Sequence, residues 1–264
     1  MDATTDRQLI RVEEDDGIFT LIIDRPEKRN AMNQALLLEL GDALRAAGDD
    51  ASVHCVVLRG EGPVFSAGVD LGELASFAGD PSVLRPFRNV FLDCANLCEA
   101  MPKPVICQIH RACFGGALEV ALGCDLRIAS EDSQLGLPEV KFGIIPDVGG
   151  SSRLPAVVGL GRAKELIMTA RTIDAAEAQR IGLVNRVVAP DELEQATQTL
   201  VDELLANSHV AVGRAKAVMD ASARPALAQT LAMEVSVQEY CVATMREMAR
   251  EAEGAAQTET VAAG

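Results

Sequence analysis

Two short segments of the chain each place a glycine where a strand-like run should give way to a helix. The first turn spans residues 65–70 and contains Gly68, and the second spans residues 114–119 and contains Gly116. Glycine lets the backbone approach a ligand closely, and the first N–H groups of a helix are free donors at the positive end of its dipole. Two such turns side by side would direct two N–H groups at one oxygen atom, which is the arrangement of an oxyanion hole.

Three carboxylates follow these turns in the sequence. Glu119 comes three residues after Gly116, on the same face of the predicted helix, and its apolar neighbours predict burial. Burial would raise its pKa toward the range that serves proton transfer. Glu139 and Asp147 lie eight residues apart in later loops, and converging carboxylates can divide the roles of general acid and general base. Structural roles compete at each position: a salt bridge for Glu119, a loop hydrogen bond for Glu139 and a helix N-cap for Asp147.

The elements that must position these groups alternate between strand and helix. Apolar periodicity, capping residues and turn residues predict a hairpin of residues 9–13 and 18–24, a helix capped by Asn33, a strand at 55–58, a helix at Leu84–Ala100, a strand at 125–129, helices starting near 150 and at 162, and a strand at 183–188. From residue 190 onward only helical pattern remains, with a frayed tail predicted from residue 254. The sequence therefore predicts an α/β core over residues 1–190 and an all-helical C-terminal lobe over residues 191–264, whose apolar positions we expect to make subunit contacts.

Composition narrows the class of protein. The net charge of −15 over 264 residues argues against a nucleic-acid partner, since phosphates would be repelled. Neither an apolar run of the roughly 18 residues that cross a membrane nor a signal peptide is apparent, so we expect no membrane association and a cytoplasmic location. The seven cysteines lie mostly in apolar runs, which is typical of reduced core thiols, and no metal site is expected.

Other catalytic motifs are missing or incomplete. The chain has no Walker-type phosphate loop, no dinucleotide fingerprint and no paired-histidine zinc motif. Ser66 precedes Gly68 by two residues but follows Val64, so the nucleophile-elbow pattern is only half met. A serine hydrolase using Ser66 is therefore a weaker candidate.

The ordered set of motifs resembles the crotonase superfamily, the enoyl-CoA hydratase/isomerase family, over nearly the whole chain. The matching segments are residues 24–33, 65–70, 109–125, 137–139, 143–146, 149–150, 153–155, 175–178 and 181–185. The resemblance implies a spiral of ββα repeats followed by the helical lobe, which trimerises in this family. The expected assembly is a homotrimer or a hexamer built as a dimer of trimers.

The resemblance also implies roles for particular residues. The backbone amides of Val69 and Gly116 would form the oxyanion hole for the thioester carbonyl of an acyl-CoA, and Glu119 and Glu139 would activate water and protonate the α-carbon. The positions that match the region holding coenzyme A are Lys28, Arg29, Ala31, Ala67, Asp70 and Leu71. No cofactor or metal is expected, because coenzyme A is part of the substrate. The first hypothesis is an enoyl-CoA hydratase that adds water across the 2,3 double bond through a stabilised enolate.

Three departures from the family pattern leave alternatives open. Asp147 occupies a position that is commonly glycine in hydratases but acidic in dienoyl-CoA isomerases, so an enoyl-CoA or dienoyl-CoA isomerase is one alternative. Arg111 and Ala117 replace glycines, and the tail lacks the aromatic residue and late lysine that many members place near coenzyme A. A non-catalytic acyl-CoA-binding member of the fold is the other alternative.

Overall fold

Strands and helices alternate along the chain in the computed structural model, which describes residues 8–79 and 81–262. The strands are β1 (Ile10–Asp15), β2 (Ile18–Ile23), β3 (Cys55–Gly60), β4 (Val105–Ile109), β5 (Ala112–Phe114), β6 (Leu126–Ser130), β7 (Gln134–Gly136), β8 (Ile173–Asp174) and β9 (Arg186–Val188). The helices are α1 (Gln34–Asp49), α2 (Leu71–Gly79), α3 (Leu84–Ala100), α4 (Gly116–Gly123), α5 (Gly150–Val158), α6 (Leu160–Thr169), α7 (Ala175–Arg180), α8 (Leu193–Leu205), α9 (His209–Ala223) and α10 (Leu227–Ala262). This architecture confirms the predicted α/β class with helices at the C-terminal end.

Six strands form the main sheet, in the order β1-β2-β3-β4-β6-β9. The β1–β2 pair is antiparallel, and the other pairs in this sheet are parallel. The predicted hairpin is confirmed. Its two turn residues, Asp16 and Gly17, both have positive φ, as in the two-residue turns whose twist matches that of the flanking strands. The N-cap of α1 is also as predicted, because the Asn33 side chain accepts a hydrogen bond from the Leu36 amide.

Strand β3 is covered on both faces, as is usual for a parallel sheet. Val56 and Leu58 belong to the main core, whereas Cys55 and Val57 belong to a second apolar cluster that includes Leu200 of α8. Helix α8 therefore closes the second face of the sheet although it lies in the predicted C-terminal lobe. The division into units at residues 190 and 191 stays a prediction.

A second sheet of three short strands, in the order β5-β7-β8, carries the chain into the second glycine turn. Strand β5 pairs in parallel with β7, so that Phe114 lies opposite Gly136. Sequence patterns missed this sheet because two or three residues are too few to show an alternating period. The strand that leads directly into the second turn is thus β5, which follows β4 after two residues.

Two predicted segments differ from the structure. The predicted strand at 183–188 is strand only from Arg186, because the amides of Leu183 and Val184 donate to the Ala178 carbonyl at the end of α7. The tail predicted to be frayed from residue 254 is helical to Ala262, and its alanine, glutamate and glutamine residues favour helix. Residues 263–264 lie outside the described part. Within the described residues, no helix combines the length and the apolar character that a bilayer crossing demands.

Candidate active site

The two glycine turns lie against each other at the carboxyl ends of β3 and β4. The Phe114 amide donates to the Ser66 carbonyl, and the Ser66 amide donates to the Ala112 carbonyl at 3.0 Å. Gly68 has a φ of +95°, and a Cβ atom at this position would lie 2.5 Å from the Phe114 carbonyl oxygen. Only glycine therefore allows the backbone of the first turn to approach the second this closely.

The first glycine turn pairs with Met32 in a short parallel bridge, and the Val69 amide points away from that bridge. The Met32 amide donates to the Gly68 carbonyl at 2.8 Å, and the Asp70 amide donates to the Met32 carbonyl at 3.0 Å. Because alternate residues of a paired strand face opposite sides, Val69 presents its own N–H group to the other side. Among the described residues this N–H group has no acceptor.

The Gly116 amide is one of the first N–H groups of α4, where no preceding turn supplies a carbonyl. The first bond along this helix runs from the Glu119 amide to the Gly115 carbonyl at 3.1 Å. A Cβ atom at Gly116 would lie 2.4 Å from the Phe91 ring, so a larger residue does not fit. Both Val69 and Gly116 line one cavity.

This cavity has a volume of about 260 Å³ and is mostly apolar. Its lining residues are Ala67, Val69, Leu71, Leu74, Phe114, Gly115, Gly116, Pro138, Glu139, Phe142 and Ile144. Leu71, Leu74, Phe142 and Ile144 also line an adjoining groove of about 570 Å³, whose other wall is α10. An apolar path therefore leads from the two amides to the space between α2 and α10.

A larger pocket of about 640 Å³ lies at the amino ends of the strands of the main sheet. It is lined by His54 and Lys103, which precede β3 and β4, and by residues of α9 including His209. Ligand sites in sheets of this kind form at the carboxyl ends of the strands. The glycine turns and the three carboxylates lie at the carboxyl ends of the strands, so we assign the candidate active site to the smaller cavity.

Glu119 is buried on α4 and is held by backbone amides. Its Oε1 atom accepts hydrogen bonds from the Val148 amide at 3.0 Å and from the Gly150 amide at 2.8 Å. Among the described residues no cation forms an ion pair with it, so the salt-bridge alternative is not what the structure shows. Burial raises the pKa of the Glu119 carboxyl well above its ordinary value, and the neighbouring Glu139 adds to that shift.

Glu139 begins a short 3₁₀ segment, Glu139–Phe142, and lines the cavity. A Cβ atom at Gly115 would lie 2.9 Å from Glu139 Oε1, so the carboxylate lies directly beside the second turn. Its Oε2 atom is buried and has no hydrogen-bond partner in the described part of the chain. Burial raises the pKa of Glu139 to about 7, and the charge of Asp147 contributes to the shift.

Asp147 is not a helix N-cap, because Gly149 caps α5 and does so without a side-chain hydrogen bond. The Asp147 Oδ2 atom is buried, has no hydrogen-bond partner among residues 8–79 and 81–262, and lies 3.8 Å from Arg88 Nε. Burial raises the pKa of Asp147 to about 7, against the lowering effect of Arg88. The structure thus brings all three predicted carboxylates together, and burial, with repulsion between neighbouring carboxylates adding to it, raises the pKa of each.

We expect the folded protein to lose stability as the pH rises from about 4 to 7. Glu139 and Asp147 have a pKa of about 7 in the folded chain, against ordinary values of 4.5 and 3.8. The folded chain therefore binds more protons than the unfolded chain in this window. The stabilisation is complete below the ordinary values and is lost as the pH rises through 7.

Thermal unfolding at closely spaced pH values measures this loss, with Tm changing by about 2–4 °C for each kcal/mol. The double variant Glu139→Gln, Asp147→Asn should show a flatter decline. A residual slope is expected from Asp125, whose pKa burial raises to about 6. A wild-type Tm that rises steadily across the window would contradict the assignment of raised pKa values.

The residues that match the coenzyme A region lie around the mouth of the cavity. Ala67 and Leu71 line the cavity itself. Lys28 and Arg29 are exposed, and the Arg29 carbonyl accepts the Ala67 amide at 3.0 Å, which places both basic residues beside the first turn. Ala31 is half-buried next to them.

Asp70 is occupied by contacts within the chain. Its Oδ2 atom lies 2.5 Å from Arg25 Nη1, and its Oδ1 atom accepts the Gly72 amide at 2.8 Å at the start of α2. The hydrogen bond from Arg25 lowers the pKa of the Asp70 carboxyl. The Asp70 side chain therefore fixes the first glycine turn to the loop after β2, and its amide is bonded to the Met32 carbonyl.

Three further residues that the sequence patterns single out, Ser66, Arg111 and Ala117, have no catalytic placement in the structure. Ser66 is fully buried, and its hydroxyl donates to the Asn30 carbonyl at 2.7 Å, so it is not placed as a nucleophile. Arg111 has a φ of +56°, a left-handed conformation that glycine adopts most easily, and its Nε atom lies 3.5 Å from Asp132 Oδ2. Ala117 is fully buried. Within the described residues, no group of three or more His, Cys, Asp or Glu side chains is arranged so that it could hold a metal ion.

Two charged residues of the site were missed by the sequence analysis. Arg88 of α3 donates to the Asp147 carbonyl at 2.8 Å, and Glu234 of α10 accepts the Gly149 amide at 3.0 Å. Arg88 lies among Phe87 and Phe91 on the buried face of its helix, which is a signal for a buried partner. Glu234 sits between Met233 and Val235 and has no comparable signal in the sequence.

Comparison with known proteins matches residues 13–257 to the family model described as enoyl-CoA hydratase/isomerase. The chain is 37% identical over 236 residues to a crotonyl-CoA hydratase of Syntrophomonas wolfei, covering 89% of this chain and 90% of that protein. It is 35% identical over 234 residues to a short-chain-enoyl-CoA hydratase of Clostridium acetobutylicum, covering 88% and 89%. The crystal structure of an enoyl-CoA hydratase from Bacillus halodurans superposes with a TM-score of 0.85 at 26% identity, covering 90% of this chain and 97% of that one.

Proposed function

This chain belongs to the enoyl-CoA hydratase/isomerase family and is an enzyme of that family, and we propose that it adds water across the 2,3 double bond of a 2-enoyl-CoA thioester. The observation that carries the proposal is one cavity lined by Val69 and Gly116, whose amides have no acceptor among the described residues, and by the buried carboxyl group of Glu139. The buried carboxyl group of Glu119 lies on α4, one turn after Gly116.

In this proposal the thioester carbonyl oxygen accepts hydrogen bonds from the Val69 and Gly116 amides. As the water oxygen bonds to C3, the electrons of the double bond move toward the carbonyl, and the two amides stabilise the resulting enolate. A donor of this kind contributes about 3–4 kcal/mol to the transition state. One carboxylate accepts the proton that water loses, and the other carboxyl group supplies a proton to C2, so that water is added in full. These steps use the amides, the carboxyl groups and the substrate, and coenzyme A enters only as part of that substrate.

The surroundings of the cavity suggest where the rest of the substrate lies. In this proposal the exposed Lys28 and Arg29 meet the phosphates of coenzyme A, with Ala31, Ala67 and the Asp70–Leu71 backbone beside its chain. The acyl chain would extend into the apolar groove between α2 and α10. A groove of this volume has room for more than a four-carbon acyl group.

A panel of 2-enoyl-CoA thioesters of increasing chain length tests the function. We expect loss of the conjugated thioester absorbance and formation of the 3-hydroxyacyl product for the four-carbon substrate and for longer linear ones. Absence of product at every chain length would contradict hydration. Turnover of the four-carbon substrate alone would support hydration but would contradict the proposal that longer acyl chains bind in the groove.

Asp147 favours a second candidate, an isomerase. Its carboxyl group is buried in the cluster, has a pKa of about 7 and presents an oxygen without a partner, so it is equipped to carry a proton along a dienoyl chain. If hydration is the activity, Asp147→Asn should keep kcat on crotonyl-CoA within about tenfold, because Glu119 and Glu139 remain. If isomerisation is the activity, a 3-enoyl-CoA or dienoyl-CoA rearranges without gaining water, and the same variant abolishes that rearrangement.

We also propose that the chain assembles through its C-terminal helices as a homotrimer or a dimer of trimers. Helices α9 and α10 expose six large apolar side chains at fractions between 63% and 72%: Val210, Val218, Met219, Met233, Tyr240 and Met248. Apolar area of this kind on a helical surface favours burial between subunits. Sedimentation equilibrium measures the mass, and a monomer at micromolar concentration would contradict the proposal.

A further inference from the structure

Helix α10 carries two buried polar side chains one turn apart on its inner face. Glu234 is 4% exposed and Gln238 is 3% exposed, although neighbouring side chains such as Met233 and Tyr240 are open to solvent. A buried carboxylate is costly unless it receives hydrogen bonds. The contacts that Glu234 and Gln238 make therefore indicate what they hold in place.

Both side chains accept hydrogen bonds from the segment that carries Asp147. The Ile145 amide donates to Gln238 Oε1 at 2.8 Å, and the Gly149 amide donates to Glu234 Oε2 at 3.0 Å. The Ser152 hydroxyl donates to Glu234 Oε1 at 2.6 Å. Helix α10 thus holds this segment at three points over eight residues.

The same segment holds the carboxylate of Glu119. The amides of Val148 and Gly150 donate to Glu119 Oε1, while the amide between them, that of Gly149, donates to Glu234. One short stretch of backbone therefore lies between two carboxylates and is bound on both sides. A shift of this stretch on the α10 side would move the amides that orient Glu119.

Arg88 completes the connection between α3, this segment and α10. Its Nε atom donates to the Asp147 carbonyl and its Nη2 atom donates to the Leu231 carbonyl, each at 2.8 Å. Its guanidinium lies 3.6 Å from Glu234 Oε2, so the buried carboxylate has a cation beside it. The charged groups that face Glu234 are thus Arg88 and the carboxyl groups of Glu119 and Asp147.

We infer that Glu234 and Gln238 are positioning residues for the hydration reaction, which hold residues 145–152 so that the Val148 and Gly150 amides aim the Glu119 carboxylate at the substrate. Helix α10 is then part of the active-site scaffold in addition to its place in the C-terminal region. The measurement of kcat that tests this inference rests on the proposed function. The NMR titration of Glu119 that also tests it does not require turnover.

Two variants separate the role of charge from the role of the hydrogen bond. Glu234→Gln keeps the shape but removes a negative charge that raises the pKa of Glu119. Its remaining oxygen can accept the Gly149 amide, and the Ser152 hydroxyl can accept from the new NH2 group in place of donating. We expect kcat to fall about 10- to 100-fold with KM nearly unchanged, and the pH profile of kcat to move to lower pH. Gln238→Met removes only the acceptor of the Ile145 amide, so kcat should fall without a shift of the profile.

Glu239→Gln is the matched control. Glu239 is the next residue along from Gln238 on α10 but is exposed and pairs with Arg85, so the same chemical change should leave kcat and its pH profile unaltered. Thermal unfolding of each variant reports whether the fold is retained. Glu234→Gln with wild-type kcat and an unmoved profile would overturn the inference.

A carbon NMR titration of the Glu119 carboxyl tests the inference without turnover. We expect its midpoint to move to lower pH in Glu234→Gln and to stay in place in Glu239→Gln. If the wild-type protein hydrates no enoyl-CoA, the proposed function fails while this titration still decides the coupling of Glu234 to Glu119. An unmoved Glu119 midpoint in a folded Glu234→Gln variant would overturn the inference whatever the activity.

Discussion

Glu139→Gln and Glu119→Gln are each expected to lower kcat for hydration of crotonyl-CoA by about 10²–10⁴-fold, with a small effect on KM. Each substitution keeps the size of the side chain but removes the proton that the carboxyl group accepts or donates. In the Glu119→Gln variant, the new side-chain amide oxygen can still accept hydrogen bonds from the Val148 and Gly150 amides, as Glu119 Oε1 does. We therefore expect both variants to fold and to bind acyl-CoA.

Stopped-flow or steady-state absorbance at the conjugated thioester band measures the loss, and acyl-CoA binding measured by calorimetry reports the intact site. Glu131→Gln is a suitable control, because Glu131 is an exposed carboxylate in the loop after β6. Unchanged turnover in both Glu119→Gln and Glu139→Gln would sink the acid–base assignment. Binding without turnover in the wild-type protein would instead identify a non-catalytic acyl-CoA-binding member of the fold.

Gly68→Ala is expected to lower kcat/KM by about 10²–10³-fold, the effect of losing one oxyanion-hole donor. A Cβ atom at residue 68 would lie 2.5 Å from the Phe114 carbonyl oxygen, and the backbone has a φ of +95° there, which alanine rarely adopts. The backbone must therefore move, and the next amide along is that of Val69. A displacement of about 1 Å at this amide is enough for a 100-fold loss.

Gly161→Ala is the matched control for this prediction. The substitution is the same, but Gly161 lies in α6 and a Cβ atom there has no neighbour within 4 Å. Circular dichroism gives the folded fraction, so that kcat/KM is expressed per folded protein and separates misplacement of the amide from unfolding. A folded Gly68→Ala variant with wild-type kcat/KM would contradict the role of the Val69 amide.

Local features of the chain were predictable because their causes lie within a few residues. The Asn33 cap, the hairpin turn at Asp16 and Gly17, and the bounds of α3 follow from capping, turn and periodicity patterns that act over one or two turns of chain. The crotonase-like fold was predictable for a different reason, since ordered motifs along the whole chain carry the resemblance that the comparisons confirm.

Features that depend on pairing between distant segments were not predictable. The sheet of β5, β7 and β8 consists of strands of two or three residues, whose identity comes only from their partners. The tail after residue 254 is a different case, since its small polar residues predict fraying, whereas its alanine, glutamate and glutamine residues favour the helix that continues α10 to Ala262.

By itself the sequence determined the two glycine turns, the helix that carries Glu119 and the set of carboxylates from which the site is built. Only the tertiary structure decided that Val69 and Gly116 line one cavity, that Asp147 is a buried acid and not a cap, and that α10 reaches the site. The physical reason is distance along the chain. A turn or a helix forms from neighbouring residues, whereas Gly149 and Glu234 are separated by 85 residues and meet only when α10 packs against the core.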